Sequence, residues 1–129
     1  MTPPVTFKVD SLKVLAGKWN YKSSEAAFYF NGMLTAPDLY SYSNAEFIQF
    51  NNDGTGEDYN TSFTYTLKND QLIITYNEYD SVGLPIDPVI QVCTIKELSE
   101  GALALYYNNS YQDTNNILSG SIITEHLSR

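Results

Sequence analysis

The stretch Ser62–Tyr79, SFTYTLKNDQLIITYNEY, alternates apolar and polar residues, breaks once at Asn69-Asp70, and alternates again. In its first half Phe63, Tyr65 and Leu67 share one face, and Thr64, Thr66 and Lys68 the other. In its second half Leu72, Ile74 and Tyr76 alternate with Ile73, Thr75 and Asn77. Successive side chains of a strand point to opposite faces, so a period of two marks half-buried strands; an amphipathic helix repeats every three or four positions. Asn and Asp tolerate the positive φ of a tight turn. The stretch therefore predicts a β-hairpin made of Ser62–Lys68 and Gln71–Tyr79.

The same period continues outward, with turn signals about every ten residues. Pro88–Leu98, Ala102–Asn109 and Ile117–Leu127 are predicted strands on one side of the hairpin, and Ala45–Phe50 and Gly17–Ser23 on the other. Ser99-Glu100-Gly101 is a short turn, with Gly101 where a left-handed residue is expected. One helix is expected: Asp10 or Ser11 caps a short turn ending near Ala16, with Leu12 and Leu15 spaced to pack on one side. Residues 1–9 are expected to form an extended or disordered lead-in.

Two readings stay open for Ser24–Asn44, which is too apolar for a solvated loop. Either it adds a strand, completing eight, or it folds as a lid over the barrel. The β-type composition of EAAFYF and LYSYS, punctuated by Ala36-Pro37-Asp38, favours the strand. With no repeat, low-complexity tract or linker, residues 1–129 read as one domain. The expected fold is all-β: a single antiparallel up-and-down β-barrel of about eight strands with a short N-terminal helix.

Successive connections of a meander lie at opposite ends. The short turns at Asn69-Asp70 and Ser99–Gly101 therefore share one end, and the long connections Asp80–Asp87 and Asn109–Asn116 share the other. With eight strands the long connections lie opposite the helix, and barrel mouths are habitual ligand sites.

Composition agrees with a self-sufficient core: the 129 residues are 43% hydrophobic and 14% aromatic. One Cys cannot form an intramolecular disulfide, and one His with one Cys is too little for a structural zinc site. Cys93, in the apolar-rich run PVIQVCTIKEL, is expected to be a buried thiol. Seven Lys and Arg against fifteen Asp and Glu give a net charge of −8, which repels nucleic acid and anionic membrane surfaces. No apolar run approaches the ~18–20 residues of a membrane helix, so a soluble chain is expected. MTPPVTFKVD has neither the basic nor the apolar region of a signal peptide.

The acidic, glycine-rich run FNNDGTGEDYN, from Phe50 to Asn60, tests for a calcium loop. An EF-hand loop needs glycine at position 6 and a bidentate glutamate at position 12. With Gly56 at position 6, Ser62 stands at position 12; with Gly54 there, Asn60 does. Both registers lack the closing carboxylate. A hairpin turn requires no exceptions, because Asp53-Gly54 is a strong turn signal, Gly56 is free of the Cβ restriction, and apolar β-runs lie on both sides. The run is predicted to be a turn, with no metal.

Leu15-Ala16-Gly17-Lys18-Trp19 resembles the L-x-G-x-W that opens the first strand of lipocalins and of bacterial lipocalin-like domains, where a short helix precedes it. Phe50 with Asp53-Gly54-Thr55, Phe63-x-Tyr65-x-Leu67, Leu72-x-Ile74, Ile95-x-x-Leu98 and Leu103-x-Leu105 extend the likeness to the bacterial version over almost the whole chain. The T-D-Y motif of typical lipocalins is absent. The resemblance implies a member of the lipocalin-like domain family of Bacteroidetes: small meander barrels, frequently exported as periplasmic or lipid-anchored outer-membrane proteins, mostly without an assigned function. It thus implies export, with the leader absent from this sequence. It also implies that Gly17 and Trp19 close one end of the barrel, the tryptophan usually packing on an arginine of the last strand. Here the only arginine is Arg129, the final residue, so the resemblance by itself does not supply that partner.

No catalytic constellation stands out. His126 and Glu125 fall on opposite faces of a strand, and no nucleophile elbow is present. Glu25, Asp38, Glu46, Glu78 and Asp80 are the carboxylates considered for a mouth, and no enzyme activity is expected. The eleven tyrosines suit pocket walls, having a flat apolar face and a hydroxyl that needs a partner. Phe47, Phe63, Tyr65, Tyr79, Leu84, Leu105, Tyr107 and Tyr111 are the candidate ligand-binding residues. The expected function is cofactor-free binding of a small apolar or aromatic ligand; the alternative is a filled barrel that meets a protein or polysaccharide at the cell surface.

Overall fold

A computed structural model describes residues 9–42, 46–59 and 61–129. The helix α1 (Val9–Leu15) is followed by ten strands: β1 (Gly17–Phe30), β2 (Met33–Leu34), β3 (Asp38–Ser41), β4 (Phe47–Phe50), β5 (Thr55–Asp58), β6 (Thr61–Lys68), β7 (Gln71–Tyr79), β8 (Pro85–Leu98), β9 (Ala102–Gln112) and β10 (Leu118–Ser128). All pairings are antiparallel. On one edge β1 pairs in turn with β4, β3 and β2, which therefore share one position around the sheet. On its other edge β1 pairs with β10, from Asn20 opposite Ser128 to Phe28 opposite Ser121, closing an eight-stranded barrel. No helix among the described residues is long and apolar enough to cross a membrane.

The predicted hairpin forms as β6 and β7, with Leu67 opposite Leu72 and Asn69 at φ 56° in the turn. The eight strand positions arise differently from the expectation. Glu25–Phe30 continues β1 instead of starting a strand, and β2 and β3 fold back along it through Asn31-Gly32, both at positive φ. The eighth position is β5, inside the run expected to be wholly turn. A turn forms at Asn51–Thr55, closed by the Asn51 N–H on the Thr55 carbonyl at 2.8 Å with Gly54 at φ 87°, and the chain turns again at Tyr59, at φ 57°. Two further expectations are corrected. Helix α1 begins at Val9, so Asp10 and Ser11 lie inside it, and the residues that would cap it, like most of the 1–9 lead-in and Ala45, fall outside the described residues. Gly101 does not take a positive φ; the Ser99 hydroxyl closes that turn by accepting from the Ala102 N–H at 3.1 Å.

The core fills the end of the barrel nearest α1. Trp19, Ile48, Phe50, Phe63, Leu72, Ile74, Ile95, Leu103 and Leu105 are buried there, with Leu15 of α1 beneath them. Phe50 packs edge-on to Phe63 and Tyr65, with ring centres 5.6 and 5.1 Å away. Burying each such side chain contributes about 1.5–3 kcal/mol. The buried Trp19 indole N–H donates to the Leu15 carbonyl at 2.7 Å, so its polar edge is satisfied. Arg129 supplies the partner left open by the sequence: its guanidinium lies 4.0 Å from the centre of the Trp19 ring and donates to the Val14 carbonyl. Gly17, at φ 121°, makes the turn from helix to strand that sets Trp19 inward.

At the far end the connections are shorter than expected, Asp80–Leu84 and Asp113–Ile117, because β8 begins at Pro85 and β9 runs on to Gln112. They lie opposite α1, as eight strand positions require.

A candidate site in the upper barrel

On six strands the inward series leaves the apolar floor for polar or tyrosine side chains. Along β9 the inward residues run Leu103, Leu105, Tyr107, Asn109, and along β10, antiparallel to it, Leu127, Glu125, Ile123. The apolar residue below gives way to Tyr21 above Trp19 on β1, Asp58 beyond Gly56 on β5, Tyr76 beyond Ile74 on β7, and Gln91 above Cys93 on β8. Above the apolar floor these groups line a cavity of about 240 Å3, walled by Tyr21, Asp58, Tyr76, Gln91, Tyr107, Asn109, Ile123 and Glu125. A wider hollow of about 810 Å3 lies outside the closed end, between α1 and the Asn51–Asp53 turn, and no chamber group reaches it.

The chamber's carboxylates organise its tyrosines. Asp58 accepts from the Tyr21 hydroxyl at 3.1 Å through Oδ1 and from the Tyr76 hydroxyl at 2.9 Å through Oδ2. Glu125 Oε2 accepts from Tyr42 at 2.8 Å, and the Tyr42 ring packs 5.3 Å from Tyr21. Burial, with the Asp58 charge second, holds the Tyr21 and Tyr76 hydroxyls well above the usual phenol range. Burial likewise raises Tyr107, the most enclosed of the chamber's tyrosines. Burial also raises the Glu125 carboxyl; the Tyr42 hydrogen bond opposes the shift and the Asp58 charge adds to it. Buried beside the floor, the Cys93 thiol is pushed up to about 12 and stays protonated.

The candidate residues separate by height and face. Tyr107 reaches the chamber. Tyr79, Leu84 and Tyr111 are exposed at the rim. Phe63, Tyr65 and Leu105 are buried in the floor, packed against one another. Phe47 lies on the outer face, because Ile48 and Phe50 take the inward positions of β4; its ring sits beside Tyr59 and under the Lys18 ammonium, 4.5 Å from the ring centre. None of the five carboxylates considered for a mouth lines the chamber. Glu25 faces outward and pairs with His126 at 3.6 Å.

Tyr21, Asp58, Gln91, Asn109, Ile123 and Glu125 went unread as site residues, although the period of two pointed to most of them. Once Leu103 and Leu105 face inward, Tyr107 and Asn109 must follow, and Glu125 stands two residues from inward Leu127. Asp58 was hidden because its strand is only four residues long and looks like a turn.

No protein-family model matches the chain, and no curated protein or solved structure is significantly similar to it. Fold and chamber together define a small closed meander barrel with a packed floor and a polar, tyrosine-lined upper chamber.

Proposed function

We propose that this barrel binds a small molecule reversibly in its upper chamber and makes or breaks no bond. The observation that carries this reading is the cavity of about 240 Å3 held above a packed floor, with side chains from six strands converging on it. The rim residues Tyr79, Leu84 and Tyr111 give an approaching ligand apolar surface to meet first. The protonated, buried Cys93 and the outward His126 support binding without chemistry. Export as a lipid-anchored or periplasmic protein belongs to this proposal on the strength of the sequence resemblance alone.

The test is native mass spectrometry of the gently purified protein beside the same sample after denaturing extraction. The expected result is a discrete added mass that is lost on denaturation. A bare protein mass, together with an upper chamber that shows no perturbation by any small molecule in a ligand-observed NMR screen, would end the reading.

One observation favours a second role. Ile90 and Val92 are exposed on the outer face of β8, and Val82 and Leu84 in the connection before it; exposed apolar surface marks interaction sites. In that reading this edge meets a protein or polysaccharide at the cell surface, and charged substitutions at Ile90 and Val92 abolish the contact while leaving chamber binding intact.

A further inference from the structure

Resting on the reading of the chamber as a ligand site, we infer that its ligand is a small organic ammonium: a primary amine carrying a compact apolar or aromatic body. Asp58 and Glu125 both line the cavity, and among the described residues no Lys, Arg or His does. The basic side chains placed by their contacts lie elsewhere: Lys18 over Phe47, Lys96 over Tyr106, Arg129 over Trp19, and His126 against Glu25 on the outer wall. Half-buried carboxylates without a cation still cost free energy, and in native proteins such groups are paired with cations or held by hydrogen bonds. The tyrosine hydroxyls supply some of those bonds, but they are neutral and leave the charge in place.

The aromatic lining is the second, independent feature. Tyr21, Tyr76 and Tyr107 surround the same space as the carboxylates, and a tyrosine face attracts an ammonium within about 6 Å of its ring centre. Tyr107 is partly buried against the core, and its hydroxyl makes no hydrogen bond to oxygen or nitrogen among the described residues; on the protein side it meets the Cys93 thiol. That hydroxyl and the Asn109 amide remain for a ligand's polar atoms, while the Gln91 amide nitrogen donates to the Val92 carbonyl at 3.5 Å. An anionic ligand would meet two carboxylates and no compensating donor of positive charge. A purely apolar one would offset neither carboxylate's charge and would give the Asn109 amide and the Tyr107 hydroxyl no partner.

Size narrows the class further. The cavity of about 240 Å3 corresponds to about eight waters at ~30 Å3 each, which suits a molecule of about eight to ten heavy atoms. Ile123, the one aliphatic side chain of the lining, and the tyrosine faces accept the body of such a molecule while the ammonium seats between Asp58 and Glu125.

Three probes of nearly one shape and different charge test this on the unaltered protein: 2-phenylethylamine, 2-phenylethanol and phenylacetate, titrated to 10 mM at pH 7 with backbone and tyrosine-ring NMR as the readout. The expected result is that the amine binds at least tenfold more tightly than the alcohol, with shifts centred on Tyr76, Tyr107 and Glu125, and that the carboxylate does not bind. Asp58→Asn and Glu125→Gln are each expected to weaken the amine at least tenfold and leave the alcohol unchanged. Equal or tighter chamber binding of the alcohol or the carboxylate overturns the ammonium assignment and preserves the chamber as a ligand site. So does a co-purified ligand without a basic nitrogen. If none of the three probes perturbs the chamber, the assignment fails, and a bare mass in the native spectrum then removes the ligand-site reading as well.

Discussion

Gly56 owes its identity to packing. It lies on β5 opposite Phe63 and Phe50 with an ordinary negative φ, yet a Cβ there would run into the Phe63 ring and the Gln49 carbonyl oxygen. The ring can turn at a cost, but the carbonyl belongs to a paired strand and cannot. Gly56→Ala is expected to lower stability by about 1–3 kcal/mol, the range for overpacking a well-filled core, measured as a fall in the urea midpoint at unchanged slope. A neutral result would mean that β4 and β5 can separate at that point.

Glu125 makes the complementary case for charge. Burial raises its carboxyl above the ordinary 4.5, so the folded protein holds this proton more tightly than the unfolded chain does. Its contribution is therefore most favourable below the ordinary carboxylate value and is lost as pH rises through the raised one. Glu125→Gln keeps an acceptor for Tyr42 and removes the charge. The variant is expected to unfold at higher urea than the parent at pH 7, with the two converging near pH 4. A constant offset at both pH values would locate the effect in packing instead of charge.

At the scale of elements, three connections repeat one construction. In Asn51–Thr55, Asp80–Leu84 and Asp113–Ile117 the first residue's N–H donates to the fifth residue's carbonyl at 2.8, 2.9 and 2.9 Å, and the fourth residue, Gly54, Gly83 or Asn116, takes a positive φ. In the last two, one carboxylate oxygen of the leading Asp also accepts from two backbone N–H groups, those of Val82 and Leu84 and those of Asn115 and Ile117. This fixes the hairpin register without tertiary help. Asp80→Ala and Asp113→Ala are each expected to cost about 1 kcal/mol and to speed amide exchange at Leu84 and Ile117 respectively; unchanged exchange would show that the paired strands alone hold these turns. The Asx pattern and Asn31-Gly32, whose two positive φ angles turn β1 into β2, are local signals that went unread. The segment containing it resisted reading because β1 is 14 residues long and bends at an irregularity between Tyr21 and Ser23. Past that bulge the inward parity switches, and a strict period of two loses the thread.

For the whole molecule, closure depends on the two ends of the described chain meeting. β10 pairs with β1, and Arg129 reaches past it to stack on Trp19 and bond the Val14 carbonyl, tying helix, first strand and last strand together. Arg129→Ala is expected to lower stability by about 1–2 kcal/mol, the sum of a partly desolvated cation–π contact and one hydrogen bond, with the fluorescence of Trp19 reporting the unfolding. Loss of the same amount in Arg129→Lys would assign the effect to the guanidinium's planar geometry.

The sequence by itself determined the all-β class, the hairpin at its centre and several further strands, because alternation and turn chemistry are local and each is written in a few neighbouring residues. Its count of eight strands was right through the wrong segments. Only the tertiary structure decided that β5 is a strand, since four residues become one only when β4 and β6 flank them. It alone revealed the chamber, for Tyr21, Asp58, Tyr76, Tyr107 and Glu125 sit on five strands spread over more than a hundred residues, and their meeting depends on the shear and closure of the barrel. A period of two tells which side chains face inward; the height at which they face one another is set by register, which is a property of the closed sheet.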